Sequence, residues 1–126
     1  MERQIIIVTG NSQLRDAIKR VCSGQNCRVE TADTVATALK IAARTPICVM
    51  IADVSIQNVG DGVELAKTFH DHNPDAKCFL IVDEESSDVL SSAENEPWLH
   101  FVYKTIPMLR FSVDVVEAIK ESKLGD

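Results

Sequence analysis

Two apolar runs constrain the fold of this chain most strongly: ICVMIAD, ending on Asp53, and KCFLIVD, ending on Asp83. Neither alternates between apolar and polar residues, which is how a strand covered on both faces reads. A third run, IIIV at residues 5–8, stops at Thr9, Gly10 and Asn11, and CRVETA (27–32) and LHFVYK (99–104) read as two more strands. Helical periodicity fills the intervals. Leu14, Ala17, Ile18, Val21 and Cys22 share one face of a first helix, capped by Asn11 or Ser12 and ended by Gly24. Thr34 caps a second, whose inner face carries Val35, Ala38, Leu39, Ala42 and Ala43, and Pro46 closes it. A third turns Leu65, Ala66 and Phe69 inward and exits at Pro74. Residues 84–96 read as a weak helix stopped by Pro97, and a last helix from Met108 to about Lys123 presents Phe111, Val115, Val116 and Ile119.

Strands alternating with helices specify an α/β fold with a parallel sheet and right-handed crossovers. The 126 residues are read as one domain, 1–126, long enough to bury roughly two thirds of the surface the unfolded chain exposes. Ligands of such sheets sit beyond the carboxyl ends of the strands. The residues there are Thr9, Gly10 and Asn11 after strand 1, Asp53 after strand 3, Asp83 after strand 4 and Lys104 after strand 5.

Composition narrows the function classes. With 45% hydrophobic and 25% charged residues, and no apolar run near the ~20 residues a membrane span needs, the chain reads as a soluble protein without a membrane partner. The start, MERQIII, does not read as a secretory signal, so a cytoplasmic location is expected. A net charge of −6 argues against direct binding to nucleic acid. Cys22, Cys27, Cys48 and Cys78 form no C-x-x-C pair and are expected as reduced, mostly buried thiols; a regulatory Cys22–Cys27 disulfide is the alternative. Gly10 lacks the further glycines of a dinucleotide-binding turn. His70 and His72 lie two apart on a helix and do not face each other, so they are read as helix-end histidines near carbonyls and not as a metal pair. Trp98 is expected to pack over the start of strand 5.

The order of these elements, with MIADVS, GDGVEL and FVYK at their separations, resembles the CheY-like receiver domain of bacterial response regulators over essentially the whole chain. The resemblance implies a flavodoxin-like (βα)5 three-layer sandwich with strand order 2-1-3-4-5. It matches Asp53 to the family's phosphoacceptor and Lys104 to the lysine that contacts the phosphoryl group. The chemistry of the residues agrees, since a carboxylate nucleophile taking a phosphoryl group needs cationic help. The implied partners are a histidine kinase or phosphotransfer protein and a downstream protein, with a homodimer through the last helix also open. Such domains are classed as signalling proteins and not as enzymes.

Several positions depart from the family pattern. Receivers carry two adjacent acids after strand 1, which with the phosphoacceptor hold Mg²⁺; here the positions read Thr9 and Gly10. Mg²⁺ prefers oxygen ligands and manages with one or two carboxylates plus water and phosphate, so Asp53 with a neutral oxygen from Asn11 or Thr9 describes a weakened metal site. Asp83 stands where the family places Ser or Thr. Two like charges ~4 Å apart at an effective dielectric of ~20 repel by roughly 4 kcal/mol, which disfavours phosphorylation unless Asp83 turns to water or acts as a replacement metal ligand. The loop DVSIQNVGDG lacks the family's proline and is one residue longer, and Thr105 follows Lys104 in place of proline. Phe101 occupies the place of the rotating switch aromatic, with a core aromatic as the equally good reading, and its partner hydroxyl has become Asp83. Two functions are therefore carried forward. One is a receiver phosphorylated on Asp53. The other is a pseudo-receiver that is not phosphorylated and signals through constant contacts of the fourth helix, strand 5 and the last helix.

Overall fold

Five parallel strands pair in the order β2-β1-β3-β4-β5: β1 Arg3–Val8, β2 Cys27–Ala32, β3 Val49–Asp53, β4 Lys77–Val82 and β5 Leu99–Tyr103. The computed structural model describes residues 3–22, 27–58, 60–82, 97–104 and 108–121. Its helices are α1 Ser12–Cys22, α2 Val35–Arg44, α3 Asp61–His72 and α4 Met108–Glu121. The flavodoxin-like strand order expected from the sequence is the one observed. Asp83, the weak helix at 84–96, the Gly24 stop and the Lys104–Thr105 bond lie outside the described residues.

The unalternated runs are explained by two cores, one on each face of the sheet. Ile6, Val8, Met50, Ala52, Cys78, Leu80 and Val82 pack with Ala38 and Ile41 of α2 and Val63, Leu65, Ala66 and Phe69 of α3. Their strand neighbours Ile5, Ile7, Val49, Ile51, Phe79 and Ile81 pack with Ile18 and Cys22 of α1 and Phe111, Val115, Ala118 and Ile119 of α4. Each of these strand positions is apolar because each face is covered, and a fully buried Ile or Leu contributes about 1.5–3 kcal/mol.

Some boundaries and faces differ from the sequence reading. β3 begins at Val49, although Ile47 and Cys48 ahead of it are also buried. Cys48 is still tied to both neighbours, its N–H donating to Gln4 O at 2.9 Å and its carbonyl accepting from Lys77 N at 3.1 Å. On α2 the buried residues are Ala38 and Ile41, while Ala43 is exposed. On α4, Ala118 is buried and Val116 only half-buried. His72 Nδ1 lies 2.9 Å from Thr68 O, as expected of a helix-end histidine. His70 instead stacks on Trp98, with ring centroids 4.1 Å apart and planes 6° apart, joining the end of α3 to the start of β5. All four cysteines are free thiols, and only Cys27 is not fully buried. Burial, with Cys27 and Cys48 nearby, pushes the Cys22 thiol up to about 12. No described helix is long and apolar enough to cross a membrane.

Candidate functional site

Strand register assembles the site. Val8 is level with Ala52 on β3, which is level with Leu80 on β4, and Val82 is level with Tyr103 on β5. One step further, Thr9 and Asp53 come side by side and Lys104 stands two strands away from Asp53. Thr9 continues the β1–β2 ladder through its N–H to Ala32 O at 3.0 Å, and Lys104 continues the β4–β5 ladder through its N–H to Val82 O at 2.9 Å. Among the described residues, Thr9 and Asp53 are the buried polar positions, at 3% and 8% exposure.

Their side chains meet. Thr9 Oγ1 donates a hydrogen bond to Asp53 Oδ2 and accepts one from the Asn11 N–H at 3.1 Å. Asn11 Oδ1 in turn accepts from Leu14 N at 3.1 Å, which makes Asn11 the cap of α1. On the other side Lys104 Nζ lies 3.9 Å from Asp53 Oδ1, the ammonium half-exposed and the carboxylate largely buried. Asp53 thus has a hydroxyl donor at one oxygen and a cation facing the other. Of the residues singled out from the sequence, Asp53, Lys104 and Thr9 converge, Asn11 stands behind Thr9, and a Cβ at Gly10 would make only an ordinary contact with Ile56 O at 3.9 Å. Phe101 is half-buried against the α2–α3 core.

The β3–α3 loop is organised by Asp61. Its carboxylate accepts N–H bonds from Ile56 at 2.6 Å, Gln57 at 2.9 Å and Asn58 at 3.0 Å. Burial opposes its ionisation, but these amides with that of Gly62 outweigh burial and hold the carboxyl below its usual range. Gly60, at φ 79°, turns the chain into α3 in a conformation that suits glycine. Gly62 N then bonds to Val54 O at 2.9 Å, drawing α3 against the strand end that carries Asp53. A groove of about 500 Å³ lies elsewhere, along β5 and α4, with Lys77, His100, Tyr103, Asp114, Glu117 and Glu121 among its lining.

The sequence pattern of the response regulator receiver domain matches residues 5–115. The chain belongs to that family. Solved receiver structures agree in fold. A response regulator receiver domain protein from Clostridium thermocellum has 18% identity over 94% of each chain, with a TM-score of 0.79. The CheY-like receiver domain protein from Methanospirillum hungatei JF-1 has 18% identity over 96% of each chain and a TM-score of 0.77. The signal receiver domain of an HD domain-containing protein from Pseudomonas fluorescens Pf-5 has 15% identity over 94% of this chain and 88% of that one, with a TM-score of 0.82. No curated protein matches.

Receiver domains are signalling modules of two-component systems that act with kinases or phosphotransfer proteins and downstream partners, and typically bind Mg²⁺ at an acidic site. In this receiver the described residues do not fit a divalent ion. No group of three or more His, Cys, Asp or Glu among them is arranged to hold a metal. The nearby oxygens are engaged: Thr9 Oγ1 with Asp53 and the Asn11 amide, Asn11 Oδ1 with the Leu14 amide.

Proposed function

We propose that this receiver domain accepts a phosphoryl group on Asp53 from a histidine kinase or phosphotransfer protein and passes the signal by protein contact. The observation that carries the reading is the Lys104 ammonium 3.9 Å from Asp53 Oδ1, brought there from a strand two positions away. Oδ1 attacks phosphorus of a phosphohistidine, the new O–P bond forms as the P–N bond breaks, and the electron pair leaves on the imidazole nitrogen, which takes a proton. The charge spread over the phosphoryl oxygens then lies beside a cation already in place. Asp53 and Lys104 form the chemical unit.

The test is incubation with phosphoramidate, a small donor with the same P–N bond, followed by intact mass. One added phosphoryl group, absent in Asp53→Asn, is expected. Equal uptake by Asp53→Asn would sink the assignment.

A second reading, the pseudo-receiver, is favoured by the burial of Asp53 and by the Thr9 hydroxyl that already satisfies its Oδ2. In it the output surface is the face of β5 and α4, where Tyr103, Leu109 and Val113 are exposed. Under this reading Asp53→Ala leaves partner binding intact while Leu109→Asp abolishes it. Loss of binding in Asp53→Ala would contradict it.

A further inference from the structure

We propose that the Asp53 site accepts its phosphoryl group without a divalent ion, the Thr9 hydroxyl acting as a positioning residue that holds Oδ2 while Oδ1 reacts. The inference rests on the phosphoacceptor reading above and adds how the site is charged and ordered. Three observations carry it.

First, the Thr9 hydroxyl is fixed from both sides. Its oxygen accepts the Asn11 N–H at 3.1 Å and its hydrogen goes to Asp53 Oδ2, in a position only 3% exposed. A metal on Oδ2 would have to displace that hydrogen, leaving a buried hydroxyl without its acceptor. Second, the two carboxylate oxygens are differentiated. Oδ2 is held by a neutral donor, whereas Oδ1 faces the Lys104 ammonium at 3.9 Å, so the nucleophilic oxygen is the one beside the charge that the phosphoryl group requires. Third, the position after Thr9 is empty by composition and not by geometry. A Cβ at Gly10 would meet nothing closer than Ile56 O at 3.9 Å, and among the described glycines only Gly60 has a positive φ. The backbone therefore accepts a Cβ at position 10 without strain, and the lack of a carboxylate there follows from the choice of residue.

The test has two arms. In the first, Mg²⁺ and Mn²⁺ are titrated calorimetrically into the wild type, Asp53→Asn, Gly10→Asp and the double variant Thr9→Asp/Gly10→Asp, with thermal melts to confirm folding. The wild type is expected to show no Asp53-dependent binding, and affinity is expected to rise by roughly tenfold or more as carboxylates are added. Gly10→Asp keeps Thr9 in place and covers the case of an unfolded double variant. Wild-type binding that Asp53→Asn abolishes would overturn the proposal.

In the second arm, phosphoryl uptake from phosphoramidate is followed in chelator and in Mg²⁺. Equal uptake is expected, reduced roughly tenfold or more in Thr9→Val and restored in Thr9→Ser, with thermal melts confirming that both variants are folded at the assay temperature. Uptake that requires Mg²⁺ overturns metal independence while leaving Asp53 as acceptor. No uptake in either condition removes the phosphoacceptor reading itself, and uptake undiminished in Thr9→Val removes the role of Thr9.

Discussion

Gly62 and Gly10 both flank the Asp53 site, yet they do so for different physical reasons. A Cβ at Gly62 would collide with the Asp53 carbonyl oxygen and stand 2.9 Å from the Val54 backbone, so the residue is glycine because α3 must approach the end of β3 that closely. Backbone cannot swing aside as a side chain can. Gly62→Ala is expected to cost about 3 kcal/mol, at the upper end of overpacking, and to disturb the position of Asp53. Gly10→Ala meets only an ordinary contact and is expected to stay within about 0.5 kcal/mol of wild type. Urea unfolding of the two variants checks the contrast; equal losses would contradict it. Thr9 belongs to this scale as well. The sequence showed that an acid was missing at position 9, but a missing acid does not say what the replacement bonds to. That required the register placing Thr9 beside Asp53, and so the hydrogen bond joining them was not legible in advance.

Among the elements, α3 begins where Asp61 gathers the amides of Ile56, Gln57 and Asn58. Its carboxyl is held below the usual range, so its folded form binds a proton less readily than its unfolded form. The stability it contributes is therefore fully present above the ordinary carboxylate value and is lost as pH falls through the lowered folded one. Asp61→Asn should destabilise the protein at neutral pH by about 1–3 kcal/mol, the worth of hydrogen bonds to a charged group. It should also lose less stability than wild type between about pH 5 and about pH 3. Denaturant midpoints across that range test both statements, and a variant with the wild-type acid profile would contradict them. Helix α2 illustrates the limit of periodicity. Thr34 caps it as expected, accepting from Thr37 N at 3.1 Å, but the helix is rolled so that Ile41 lies under the sheet while Leu39, Ala42 and Ala43 line a groove beside α3. An amphipathic stripe defines a helix and its apolar side; which edge of that side meets the sheet depends on its neighbours.

For the molecule as a whole, strand order and layering were legible because the buried strand positions, Asp53 apart, are apolar and parallel neighbours are joined through helical crossovers. The same layering protects the thiols. Cys22, Cys48 and Cys78 are buried and Cys27 is partly accessible, so maleimide should modify one cysteine rapidly in the native protein and all four after denaturation. Comparable native rates for two or more would contradict the packing. Asp53 and Lys104, the proposed acceptor and its lysine, were legible as charges at strand ends, whereas their arrangement depends on the register that sets Thr9 beside Asp53 and places Lys104 two residues beyond the level of Asp53 on β5. The measurement that tests the central claim most directly uses the chemistry of the expected product, an acyl phosphate. Borohydride reduction after phosphoramidate treatment, followed by peptide sequencing by mass, should convert Asp53 to homoserine and leave every other carboxylate unchanged. Homoserine at another position, or an unmodified Asp53 in folded protein, would contradict the account.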